Sequence, residues 1–127
     1  MKFEPKIPPR EFEVGYDVKG TIQDCGAMRL APDEQITFLT EQGGEYDLTR
    51  KEWGFYATPS LNGRLASFNL RGVLVKNRVD RFFIMLVERG KEDLFEQYVR
   101  QEPLKIICWM DTLEALQSLE AAVEAKS

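Results

Sequence analysis

The chain has 127 residues, the size of one ordinary domain, and its 17 basic and 21 acidic residues leave a formal charge of −4. That balance speaks against a nucleic-acid domain, because phosphate neutralisation needs a basic surplus. The absence of histidine excludes Ser–His and Cys–His nucleophiles and imidazole-based zinc sites, so no metal and no cofactor is expected.

The two cysteines, Cys25 and Cys108, read as free thiols of a reducing cytoplasm. Met1 to Arg10 has no apolar core of a signal peptide. The longest apolar run, Phe82 to Val87, falls far short of the roughly 20 residues that span a bilayer. Neither G-x-x-x-x-G-K-[ST] nor G-x-G-x-x-G occurs, which removes the glycine-rich phosphate cradles.

In chain order, residues 1–11 with Pro5, Pro8 and Pro9 predict an extended arm, because proline removes backbone donors. A single domain is expected over 12–127. From Phe12, the alternation Phe12, Val14, Tyr16, Val18 predicts a strand with one apolar face. Gln35–Thr40 and Glu45–Thr49 flank Gln42-Gly43-Gly44 and predict a hairpin. Trp53–Thr58 and Arg64–Val75 flank Asn62-Gly63, the strongest short hairpin signal, and Gly72 suggests a bulge in the second strand. Asn77 to Asp80 turns the chain into a further strand, 81–88.

After Gly90 the period changes. Leu94, Phe95, Tyr98 and Val99 make the stripe of an amphipathic helix that Pro103 ends. Leu104–Met110 predicts a buried strand, parallel to 81–88 through that helix. A second helix starts near Asp111 or Thr112, with Asp111 and Glu114 spaced as a capping box. The sum is an α+β fold: a curved, mainly antiparallel sheet of six or seven strands, as a partial barrel or sandwich, with two helices in the C-terminal third.

The chemistry left to such a chain rests on carboxylates, Lys, Tyr and Cys. Asp24 beside Cys25 would raise the thiol pKa, and Asp33-Glu34 reads as a turn, so no catalytic residue is assigned. The richest constellation is Lys51 to Arg64. Trp53 and Phe55 serve the core there, while Tyr56, Thr58, Ser60, Asn62 and Arg64 form a candidate ligand site at the rim of the 53–64 hairpin. Tyr and Arg concentrate binding energy, and Arg suits carboxylate or phosphate.

Residues 64–91 hold seven basic residues against two acidic ones. On alternating strands such charges form a solvated face, and Phe82-Phe83 belongs to a buried strand rather than to a base-stacking surface.

The segment KEWGFYATPSLNGRL (51–65), with Ile84 to Lys91 and Ile107-Cys108-Trp109, resembles a family of small bacterial proteins of unassigned function; the likeness covers about residues 20–111. The resemblance implies no activity and no catalytic residue. It carries an association with bacterial surface-polysaccharide genes.

The leading functional expectation is a small cytoplasmic binding or accessory protein, holding a small polar or anionic, sugar-like ligand or a protein partner at 53–64. A histidine-free isomerase or lyase, with Tyr56 and a carboxylate as acid and base, is the first alternative. A structural homo-oligomer, paired through the last helix or an edge strand, is the second.

Overall fold

A computed structural model describes residues 1–126 as an α+β chain of eight strands and three helices. The strands form three separate antiparallel sheets, none of them closed. The single curved sheet expected from the sequence is therefore replaced by three small ones, and a third, short helix is added.

The first sheet is a long ribbon of β1 (Lys2–Val14) and β2 (Gly20–Arg29). The Pro-rich segment is extended as expected, yet it is paired and continuous with the strand expected from Phe12. The register shifts between Pro5 and Arg10, where Pro8 and Pro9 have no N–H to give; prolines are tolerated because each ribbon strand has a free edge. The strand stops at Val14. Gly15, at φ +104°, starts the turn, so Tyr16 and Val18 lie at the ribbon tip and not on a strand. Facing pairs Phe3–Met28 and Phe12–Ile22 share one side with Val14, whereas Glu11–Gln23 and Glu13–Thr21 share the other. The ribbon is amphipathic.

The second sheet has the order β3 (Gln35–Leu39), β4 (Glu45–Lys51), β5 (Gly54–Ala57). The Gly43-Gly44 hairpin forms as predicted, with Gly43 at φ +101°. Glu52-Trp53 is the tight turn from β4 to β5, which leaves Trp53 in solvent instead of in the core.

The expected 53–64 hairpin does not form, and its second strand begins later. Ser60 accepts the Arg64 N–H on its hydroxyl (3.0 Å) and the Leu65 N–H on its carbonyl (3.1 Å), winding the chain into α1 (Arg64–Ser67). Strand β6 (Leu70–Lys76) then enters a different sheet.

That third sheet has the order β7 (Phe82–Glu88), β6, β8 (Lys105–Trp109). The helix α2 (Glu92–Gln101) joins β7 to β8. Both strands run antiparallel to β6, so β8 pairs with β6 and not with β7. β7 and β8 thus run parallel to each other, as expected, but β6 lies between them and the expected direct pairing does not form.

Val73, Val75 and Val87 form the core with Met85, Phe95, Leu104, Ile106 and Trp109 around them. Phe95 meets Trp109 edge to face at 5.7 Å. Arg71 lies 4.0 Å over Trp109 and donates to Asp111 (2.6 Å) and Glu92 (3.3 Å). Asp111 therefore does not cap the last helix, α3 (Leu113–Glu124); Thr112 does, accepting the Ala115 N–H at 3.1 Å.

On the opposite face of the third sheet, Leu65 of α1 is fully buried near Gly72, and a Cβ at Gly72 would stand 3.0 Å from Leu61. Gly72 pairs regularly with Leu86, so it marks close approach and not the expected bulge; the bulge lies between Leu74 and Val75 against β8. No helix among the described residues is long and apolar enough to cross a membrane.

Leu65 is the one fully buried side chain of α1, at 0% exposure. Leu65→Ala is expected to cost about 2–5 kcal/mol of unfolding free energy, measured by urea denaturation, through lost transfer energy and an unfilled cavity. A cost under about 1 kcal/mol would mean that α1 does not hold the sheet face.

Candidate functional site

The residues expected to line a site run from Tyr56 in β5 to Arg64 at the start of α1, and none of them lines the clefts of the described residues. Tyr56 faces Thr49 across β4–β5, and the register puts it on the same side as Asp47 and Lys51. Thr58 donates its N–H (3.2 Å) and hydroxyl (3.3 Å) to the Asp47 carbonyl. Arg64 donates to the Asp47 carboxylate at 2.9 Å, while Thr37 donates to its other oxygen at 2.6 Å. Ser60 is committed to the turn, and Asn62 stands exposed beside it.

Thr58 and Arg64 are thus brought together on Asp47, a residue the sequence did not single out. Asp47 is only 6% exposed, and a buried carboxylate requires such partners. Arg64 also lies 5.2 Å over Phe68 and keeps its outer face in solvent. This cluster fastens β4 to α1 first, with a polar strip beside it.

A cleft of about 480 Å³ lies elsewhere. It is where the core face of the third sheet runs past Val75 without being filled. Phe83 and Met85 of β7, Leu104, and Tyr98 of α2 form its apolar floor and wall. Asn77, Arg78 and Val79 of the β6–β7 turn make one lip, and Gly15 and Tyr16 of the ribbon tip the other. Such a volume suits a small ligand.

Three contacts hold the tip in place. The Tyr16 N–H donates to Glu102 at 2.8 Å. The Arg78 guanidinium stacks 4.3 Å from the Tyr16 ring. Lys19 donates to the Gly15 carbonyl at 3.0 Å within the turn. A Cβ on Gly15 would collide with the Val18 carbonyl and stand 3.2 Å from Glu102. Glycine there satisfies both the positive φ and the close approach. A second space of about 370 Å³ continues under the ribbon from Gly15 to Ile22, sharing Tyr98 and Glu102.

Chemically, this cleft offers apolar walls, one amide, two phenols, one carboxylate and one guanidinium. Glu102 is engaged by the tip, whereas Arg78 makes no ion pair among the described residues. The other candidates do not converge on it. Asp33 pairs with Lys51 at 2.6 Å. Glu34 takes the Ala31 N–H at 2.8 Å and the terminal ammonium, which hold its carboxyl below the ordinary range. Cys25 lies exposed at the ribbon's register break, and Cys108 is half-buried on β8. No group of three potential metal ligands occurs among the described residues.

The sequence carried a trace of this cleft in the basic run containing Arg78 and in the apolar stripe containing Tyr98. What it did not carry was the ribbon turn that brings Tyr16 to both, across about sixty and eighty residues.

Two substitutions separate fastening from binding. Arg64→Ala leaves the Asp47 carboxylate with one fewer donor, and is expected to cost about 1–3 kcal/mol in urea denaturation with no ligand present. A loss of a few tenths would mean that Arg64 carries no structural load. Gly15→Ala is expected to release the tip at a cost of more than about 1 kcal/mol. Faster hydrogen exchange of the Tyr16 amide checks this, and unchanged protection would refute it.

No known family model, no curated protein and no solved structure matches the chain, so the reading of the site rests on its geometry alone.

Proposed function

We propose that this chain is a non-catalytic binding protein for a small anionic molecule with an apolar or ring-shaped body, seated in the cleft between Tyr16, Arg78 and Tyr98. One observation carries the reading: the Arg78 guanidinium lies on the Tyr16 ring at the lip of an apolar cleft and makes no ion pair among the described residues, the cleft's one carboxylate, Glu102, being engaged by the Tyr16 N–H. Arginine stacked on an aromatic presents its remaining donors as a planar fork suited to carboxylate or phosphate. The ring faces of Tyr16 and Tyr98 supply area for a flat body, a sugar ring included.

A second placement of the same function is supported by the strip of Tyr56 and Arg64, where Arg64 keeps donors in solvent beyond its bond to Asp47. An isomerase or lyase working through Tyr56 is supported less, because both oxygens of the nearby Asp47 carboxylate are already engaged.

A thermal-shift series with phenyl phosphate, benzoate, glucuronate and glucose 1-phosphate, and with neutral benzyl alcohol and glucose as controls, tests the proposal. At a hundred times the dissociation constant, a true ligand stabilises by about 2.7 kcal/mol. The expected result is stabilisation by at least one anionic probe, lost in Arg78→Ala and retained in Arg64→Ala. Loss in Arg64→Ala alone would move the site to the β5–α1 strip. No shift from any anion, or equal shifts from the neutral controls, would overturn the proposal.

A further inference from the structure

The chain exposes far more surface than a self-sufficient domain of its mass. Its accessible area is 9122 Å². A folded monomer of 14.7 kDa exposes about 6,900 Å² by the usual scaling, which leaves an excess of about 2,200 Å². That is the order of what one subunit hides in an obligate dimer, where the two partners together bury 2,000–5,000 Å² or more by the usual size classes, roughly half of it each.

Part of the excess has a definite address. Strand β7 is an outer strand of the third sheet, and Phe82, Phe83 and Ile84, expected from their apolar run to be buried, are 57%, 45% and 58% exposed because that edge has no neighbour. Isolated apolar residues on a surface need no explanation, but three in a row on an unpaired edge do. Proteins blunt such edges with short strands, charges, prolines or bulges. The other free edges here carry those devices: β3 and β5 are short, β8 is bulged against β6, β1 has three prolines, and β2 carries Asp24 and Arg29. Seven-residue β7 has none from Phe82 to Val87, and its register with β6 is unbroken.

We infer that β7 pairs antiparallel with β7 of a second copy across a two-fold axis, joining the two third sheets into one six-stranded sheet. The direction fits, since β8–β6 and β6–β7 are already antiparallel. A perpendicular two-fold keeps each side chain on its own face, so opposed residues must share parity. With the axis at Ile84, Phe82 faces the partner subunit's Leu86 and Phe83 faces the partner subunit's Met85. Apolar meets apolar from Phe82 to Leu86, and the polar residues lie outside that stretch, where Val87 faces the partner subunit's Arg81 and Arg81 does not meet Arg89 of the partner subunit. Phe82 and Ile84 extend the sheet face that α1 covers only at its Gly72 end. A second copy completes that face.

Sedimentation equilibrium of the full chain tests the inference, and twice the 14.7 kDa chain mass is expected at micromolar concentration. Ile84→Lys puts two ammonium groups opposite each other at the axis and is expected to weaken association by at least about a hundredfold. Because Ile84 is already exposed in the single chain, circular dichroism should stay unchanged. Leu119→Lys on the exposed face of α3 is expected to leave the dimer intact. As an independent readout, Ile84→Cys in a Cys25→Ser background should form a disulfide-linked dimer under mild oxidation. A monomeric wild-type chain would overturn the inference. So would a dimer that survives Ile84→Lys, one dissolved only by Leu119→Lys, or failure of Ile84→Cys to cross-link.

Discussion

Burial of Val73 and Val75 between the two strands that flank β6 and the helix that bridges them is the contact on which the remaining architecture is hung. These valines alternate with Gly72 and Leu74, so one strand serves two different neighbours. Its Val73 face receives Phe95 and Trp109, and its Gly72 face admits Leu61 and Leu65 because no Cβ stands in the way. From the first face follow α2, β8 and the floor of the cleft. From the second follow α1 and, through Arg64 and Asp47, the attachment of the second sheet.

The two polar fastenings that join these parts differ in kind. Asp47 ties backbone and side chains of one neighbourhood together. Glu88, 8% exposed at the end of β7, accepts from Thr40 of the turn between β3 and β4 and pairs with Lys91 at 3.0 Å. Buried carboxylates with partners on separate elements fix how those elements meet, at a cost in stability if a partner is removed. The ribbon lacks such a seam. It is held near its open end by the pair of the terminal ammonium with Glu34 (3.0 Å) and at its tip by Glu102, with open space beneath. A two-stranded ribbon is marginal alone, so its order depends on those end contacts.

What could be read from the sequence was local. The Gly43-Gly44 hairpin, β6 with β7, α2 with its stop at Pro103, and β8 were legible because turn chemistry and period are short-range properties. The partners of strands were not. Asn62-Gly63 reads as a hairpin on statistics, but Ser60 captures the Arg64 amide and the chain coils instead. Period two through Tyr16 and Val18 ran past the point where Gly15 turns the chain. β8 pairs with β6 because burial on both sides of that strand outweighs adjacency through the helix. The cleft escaped sequence reading for the same reason: Tyr56 and Arg64 are near in sequence, whereas Tyr16, Arg78 and Tyr98 meet only after folding.

The uneven protection of the sheet edges also governs how far association can proceed. A strand that pairs with its own copy about a two-fold consumes the same edge on both partners, and the edges left outside are short, kinked, proline-bearing or charged. The β7 pairing inferred above would therefore stop after one event, where a head-to-tail contact would leave a sticky end for the next molecule and propagate into filaments.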